Sequence, residues 1–275
     1  MKTSTLDEAA VARLSDTPKY DDAKILYLDL EISPMLSYNY EAYDSNALKI
    51  LVSPMIVSFA WQWEGETKIS CMTVADYPGY KPGILKLNDK EIAKDLHEIM
   101  SSADIVIGHN CRQFDIPIAR ARFLFHGLPP TRPWQIIDTL KDFKKQFKFP
   151  KNNLDYLSGL LDGEGKTELK HSDLIWGCLE GDKKKWREMA TYNKRDIKIT
   201  YDLYQKTKGW YTNHPNLSFY TRHPSECPTC HSTKIVNQGV RMNRTGTKKR
   251  YSCRQCGRWF TGELLKDGYD KIKSY

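Results

Sequence analysis

The period of the hydrophobic positions changes along the chain, and each change marks an element. ILYLDLEI (Ile25–Ile32) alternates: Leu26, Leu28, Leu30 and Ile32 fall on one face of a strand, while Asp29 and Glu31 fall together on the other. Residues 33–53, rich in Tyr, hold no period and read as a long irregular excursion, which in compact domains is often functional. MIVSFAWQWE and TKISCMTVAD, separated by Gly65, predict an antiparallel hairpin. KEIAKDLHEIMSSA predicts a helix with Ile92, Leu96 and Ile99 on its apolar side and Asn88 or Asp89 as its cap. DIVIGHN is short, apolar and followed by turn residues, as a buried strand would be. A helix over Phe114–His126 follows, stopped by Gly127 and Pro129-Pro130, and then a strand in WQIIDTL. The basic-aromatic stretch DFKKQFKF leaves two readings open, a patch that follows a nucleic-acid backbone or an amphipathic helix with its Phe residues packed inward. Leu154–Leu161 predicts a short helix and Lys183–Trp210 a long one. Strands alternating with helices in this order make the fold class α/β.

Turn formers then collect in TNHPNLSFYTRHPSE, and beyond them the chemistry changes. The chain divides into an N-terminal arm (1–23), an α/β domain (24–211), a linker (212–222), a Cys-rich module (223–262) and a C-terminal tail (263–275). Between residues 222 and 262 nine Lys and Arg face Glu226 alone, so this segment carries the whole formal net charge of +8, and the remainder balances 33 basic against 33 acidic residues. A concentrated basic module beside a neutral body points to a polyanion-binding attachment. No apolar run approaches the ~20 residues of a membrane helix. The first residues lack the apolar core of a secretory signal. The expectation is a cytoplasmic protein with no membrane partner.

Three groups of residues carry candidate chemistry in the α/β part. Asp29 and Glu31, two apart on a strand, set carboxylates side by side, a repulsion that a divalent cation would relieve. Asp115, in GHNCRQFDIPI, begins a helix just after a buried strand, near the edge where α/β folds place ligands. Tyr192 and Asp196, at i and i+4 of YNKRD, share a helix face. Taken singly, each has an ordinary structural reading: a solvated strand acid, a helix cap, an exposed helical acid. DxE, NxxxFD and YxxxD in this order, carried by Asp29 and Glu31, by Asn110, Phe114 and Asp115, and by Tyr192 and Asp196, resemble the DEDD 3′→5′ exonucleases of the ribonuclease H-like superfamily. The match is to the tyrosine-bearing subclass, over roughly residues 24–210.

The resemblance implies a ribonuclease H-like mixed β-sheet flanked by helices and two catalytic Mg²⁺ or Mn²⁺ ions, hard cations that take oxygen ligands. It implies that Asp29 bridges both ions, that Glu31 and Asp196 complete the nucleophile-side site, that Asp115 holds the second ion, and that Tyr192 positions the attacking water. Asn110, Phe114 and Lys166, the last in the Gly-rich DGEGKTEL, are further candidates for nucleic-acid contact. Asp138 reads as a structural strand acid that could stand behind the site, and His109 as turn chemistry.

Cys227, Cys230, Cys253 and Cys256 form two CxxC pairs separated by 22 residues, the pattern of a closed four-cysteine structural Zn²⁺ site. The intervening β-like segments around Gly239 and Gly246 look like the zinc ribbons of transposases and transcription factors. Arg241, Arg244, Lys248, Lys249, Arg250 and Trp259 are its candidate nucleic-acid contacts, offering phosphate partners and a stacking face. The reading is therefore a metal-dependent 3′→5′ exonuclease on nucleic acid, DNA and in particular single strands favoured, RNA allowed. A structure-specific endonuclease on the same fold and a non-catalytic zinc-ribbon DNA-binding regulator are the alternatives.

Overall fold

The computed structural model describes residues 23–41, 46–161, 171–221, 225–243 and 246–264. Five strands form one mixed sheet: β1 (Ile25–Ile32), β4 (Ile56–Trp63), β5 (Ser70–Thr73), β6 (Ile105–Gly108) and β7 (Gln135–Asp138), in the order β5-β4-β1-β6-β7. The first three form an antiparallel meander, and β6 and β7 run parallel to β1. This topology, with helices against the sheet, is α/β and compatible with a ribonuclease H-like fold. The strand order reverses beside β1, so the C-terminal ends of β1 and β6 lie at the switch point where open α/β sheets hold ligands.

The two faces of β1 enter different cores. Leu26, Leu28 and Leu30 pack toward α1 (Lys90–Ser101) and α2 (Asp115–Phe125), with Ile92, Leu96 and Phe123 in one cluster. Ile25 and Tyr27 pack with Ile197 and Tyr204 of α6 (Lys183–Thr207) in a second. On this second face apolar residues give way to Asp29 and Glu31. The helix above changes in the same way, because its buried stripe runs Trp186, Met189, Asn193, Asp196, Ile197, Thr200, Leu203 and Tyr204. Polar strand positions lie under polar helix positions. Two shorter helices, α4 (Leu154–Leu161) and α5 (His171–Leu179), pack beside α6.

Several sequence expectations sharpen. The excursion after β1 contains a small antiparallel ribbon, β2 (Leu36–Tyr38) with β3 (Lys49–Val52), strands too short to show a period. The DFKKQFKF stretch spans most of α3 (Thr139–Gln146) and the residues just beyond its end; Phe143 is fully buried and packs against Phe147 and Phe149, so the inward-facing reading holds. Asp89 stands at the start of α1 but makes no side-chain cap bond; Asn88 accepts the Lys90 N–H instead. The buried Asp89 carboxylate receives Arg122 through two nitrogens at 2.7 and 2.6 Å, the His126 ring at 2.7 Å and the Ile56 N–H at 3.0 Å. Burial alone would raise its pKa; these donors hold it below the usual carboxylate range and tie α1, α2 and β4 together.

After α6, residues 208–221 run against the body of the chain, with Tyr211 and Leu217 buried. They lead through α7 (Ser218–Thr221) to a three-stranded antiparallel sheet, β8 (Ile235–Asn243), β9 (Gly246–Cys253) and β10 (Trp259–Leu264), in the order β10-β9-β8. Cys227, Cys230, Cys253 and Cys256 cluster at its base. Among the described residues no helix is long and apolar enough to cross a membrane.

Candidate active site and cysteine cluster

Carboxylate oxygens of Asp29, Glu31 and Asp196 all lie within 4.8 Å of one another. Two come from alternate positions of β1 and the third from α6, across the helix–sheet interface. Around an ion with Mg²⁺–O bonds of ~2.05 Å, adjacent ligand oxygens sit about 2.9 Å apart and opposite ones about 4.1 Å. The three carboxylates are thus near enough to converge on one cation, and the cluster suggests a divalent metal site.

Asp115 is adjacent but stands outside that triad. β6 pairs with β1 only through Tyr27, leaving the β6-side edge of β1 open beyond it. The Asp115 carboxylate fills part of this gap by accepting the Leu30 N–H at 2.9 Å. The turn that brings it there passes close to β1: a Cβ at Gly108 would lie 3.0 Å from the Leu28 carbonyl and 2.6 Å from the Cys111 Cβ, so Gly is required. Asn110 takes a left-handed φ of 65° in this turn, and Asp138 secures it by accepting the Asn110 and Arg112 N–H groups while capping α3 through Lys141. Asp138 is buried structural scaffolding. His109 bonds Thr139 and the Asn152 carbonyl, consistent with turn chemistry.

Packing four carboxylates together in this partly dry region is costly without a cation. Burial, then the charges of Asp115, Asp196 and Glu31, push Asp29 well above its ordinary value, against a lowering bond from Asn193. Burial is also the main cause that carries Asp115 and Asp196 up to about 7. A carboxyl whose pKa is raised on folding stabilises the folded state while protonated, and that contribution is lost as pH rises through the folded value. Metal-free protein should therefore lose thermal stability between about pH 4, near the unfolded Asp value, and pH 7. Mn²⁺ should restore it, with a larger shift at pH 8 than at pH 5.5. Melting curves with and without Mn²⁺ check this; a Mn²⁺ shift that is equal at both pH values would contradict it.

Tyr192 and Asp196 line one end of an open groove of about 610 Å³, whose other walls include Asn110, Lys144, Lys151, Asn152 and Asn153. Burial, then the Asp196 charge, push the Tyr192 phenol far above its ordinary value, so it keeps its proton and can orient but not deprotonate a water. Phe114 is partly exposed at the start of α2. Lys166 and Arg244 lie outside the described residues.

Two residues that sequence reasoning passed over complete the site. Asn193, fully buried, donates to Asp29 Oδ2 at 2.5 Å while its own Oδ1 accepts from Ser58 Oγ at 2.8 Å. His171, the first residue of α5, places Nε2 at 2.7 Å from Glu31 Oε2. An amide inside the apolar stripe of a long helix was the available signal for Asn193; nothing local marks His171.

In the cysteine cluster, Cys227 and Cys256 sulfurs are 3.7 Å apart, as are those of Cys230 and Cys253. Disulfide sulfurs would be ~2.05 Å apart. A tetrahedron with Zn–S bonds of ~2.3 Å has edges of about 3.8 Å, so the spacing suits one Zn²⁺. Backbone N–H groups of Thr229 and Gln255 point at Cys227 and Cys253 sulfurs, the polarity that thiolates favour. The four-cysteine cluster suggests zinc. Beyond it, Arg241 faces Lys248 across β8 and β9, Lys249 is exposed, and Arg250 lies over the exposed Trp259 ring at 5.2 Å.

No protein-family model matches the chain, and neither does any curated protein sequence. Among solved structures, the chain is similar to the family B DNA polymerase from the hyperthermophilic archaeon Pyrobaculum calidifontis, at 15% identity and a TM-score of 0.48. The likeness covers 68% of this chain and 25% of the polymerase.

Proposed function

We propose that the chain is a metal-dependent 3′→5′ exonuclease acting on nucleic acid, single-stranded DNA by preference. The observation that carries this reading is the convergence of Asp29, Glu31 and Asp196 within 4.8 Å, with the Asp115 charge beside them. When bound, a pair of Mg²⁺ or Mn²⁺ ions supplies positive charge that offsets the charge developing on the attacking and leaving oxygens of a phosphodiester. Asp29, held by Asn193, would be the ligand common to both ions, with Glu31 and Asp196 on the nucleophile side and Asp115 on the other. Tyr192, its phenol protonated, would donate to and orient a water at the mouth of the groove. Lys144 and Lys151 offer positive charge along that groove, and Asn110, whose carbonyl accepts the Phe114 N–H, lines it too.

We further propose that the domain division is the one read from the sequence, with β10 carrying the cysteine-rich module on to Leu264, and that this module assists binding. Like charges directly opposed across strands destabilise a sheet. The Arg241–Lys248 pair in β8 and β9 would be relieved by a phosphate. Lys249, Arg250 and Trp259 would add contacts of the same kind.

End-labelled single-stranded DNA, duplex DNA and RNA, together with a circular single strand, test the reading in one assay. With Mn²⁺ the linear single strand should shorten stepwise from its 3′ end into mononucleotides, EDTA should stop it, and the circle should survive. Cleavage of the circle would favour an endonuclease. Binding without cleavage of any substrate would favour a non-catalytic regulator.

A further inference from the structure

Of the two strand carboxylates, Asp29 has a buried amide to hold it, and Glu31 needs an equivalent more. Glu has one more rotatable bond than Asp, and fixing it costs more rotamer freedom. Ser58, paired opposite Glu31 in the sheet, turns its hydroxyl to Asn193 instead. Among the described residues, the side chain that donates to Glu31 is His171 at 2.7 Å. Its ring also packs against the Tyr192 ring, with centroids 5.6 Å apart at 54°. His171 thus touches both the strand acid and the helix residue that opens the groove, although it lies 140 residues from Glu31 in sequence.

We propose that His171 is a positioning residue for the metal centre: it holds one oxygen of Glu31 by a hydrogen bond and so fixes the carboxylate in the orientation that faces Asp29 and Asp196. The inference rests on the reading of that triad as a divalent-metal site. It requires a donor at Nε2 and no particular charge on the ring. Hydrogen-bonding partners of metal-binding carboxylates typically contribute about 10- to 100-fold to metal affinity or activity.

Mn²⁺ binding to the full chain, followed by electron paramagnetic resonance of the free ion, tests the proposal in wild type, His171→Ala, His171→Gln and Glu31→Ala. His171→Ala should weaken Mn²⁺ binding by about tenfold or more, and His171→Gln, whose amide can donate in place of the ring, should recover most of it. In the nuclease assay, His171→Ala should need more Mn²⁺ for half-maximal rate and approach the wild-type rate at saturating Mn²⁺, with KM for single-stranded DNA unchanged. If wild type binds Mn²⁺ and Glu31→Ala does not, but His171→Ala binds like wild type or tighter, the positioning role is overturned and the metal site stands. Equal weakening in His171→Ala and His171→Gln with a lowered melting temperature in both would reduce His171 to a structural residue. Absence of Mn²⁺ binding by wild type would remove both proposals together.

Discussion

Asp29→Asn and Asp196→Asn should each abolish metal-dependent degradation of single-stranded DNA, by ~10³-fold or more, while making the metal-free protein more heat-stable at pH 8. The loss follows from removing a charged oxygen ligand from a three-carboxylate cluster; at about 1.4 kcal/mol per factor of ten, it corresponds to roughly 4 kcal/mol of transition-state stabilisation. The gain has the opposite origin. Both carboxyls are driven upward by burial and by neighbouring acids, so at pH 8 their ionised forms burden the folded state, and a neutral amide removes that burden. The amide oxygen in Asp29→Asn can still accept from Asn193 Nδ2, so the local geometry survives. Asp115→Asn offers a useful contrast. It retains an oxygen for the Leu30 N–H and should fold normally, so any lost activity reports its charge and not the gap it fills beside β1. Single-turnover degradation and melting curves on the same preparations separate these effects. An Asp29→Asn protein that degrades DNA at the wild-type rate would refute the nuclease assignment.

Cys227→Ser or Cys253→Ser should release one equivalent of Zn²⁺ and unfold residues 225–264. A module this small buries too little apolar surface to stand alone, and structural Zn²⁺ contributes on the order of 10 kcal/mol or more to such folds. The consequence should extend into the α/β body. Arg258 donates to the carbonyls of Tyr211 and Thr212, the Leu217 N–H bonds the Pro228 carbonyl, and Gly209 lies so close to the Cys256 carbonyl that any Cβ there would overlap it. Half-buried His214, whose pKa desolvation lowers to about 4, bonds the Tyr204 hydroxyl in the same region and stays neutral. Hydrogen exchange should therefore show faster exchange at Leu203–Tyr211, the last turn of the helix that carries Tyr192 and Asp196 and the residues after it, when zinc is removed. Metal analysis gives the stoichiometry. Unchanged protection over Leu203–Tyr211 in a zinc-free variant would show that the module and the helix end are energetically independent.

Local spacing settled a definite part of this protein. Period two in ILYLDLEI put Asp29 and Glu31 on one face, and that pairing holds in β1. Period 3.6 put Tyr192 and Asp196 on one side of a helix, and both line the groove. Two CxxC pairs specified a four-cysteine cluster, because the turn of a knuckle is itself local. Where two local readings competed, the fold chose: Phe143, Phe147 and Phe149 pack inward, which no count of lysines and aromatics in that stretch decided.

What the sequence left undetermined is every relation between distant segments. Asp89 sits where a helix cap belongs, yet Arg122, His126 and Ile56, at least 33 residues away, claim its carboxylate. Asn193 meets Asp29 across 164 residues and Asp115 meets Leu30 across 85. Periodicity tells which way a side chain points from its own element. Which partner satisfies it once buried depends on what else must be paired in that volume, and only the packed chain brings those competing donors and acceptors together.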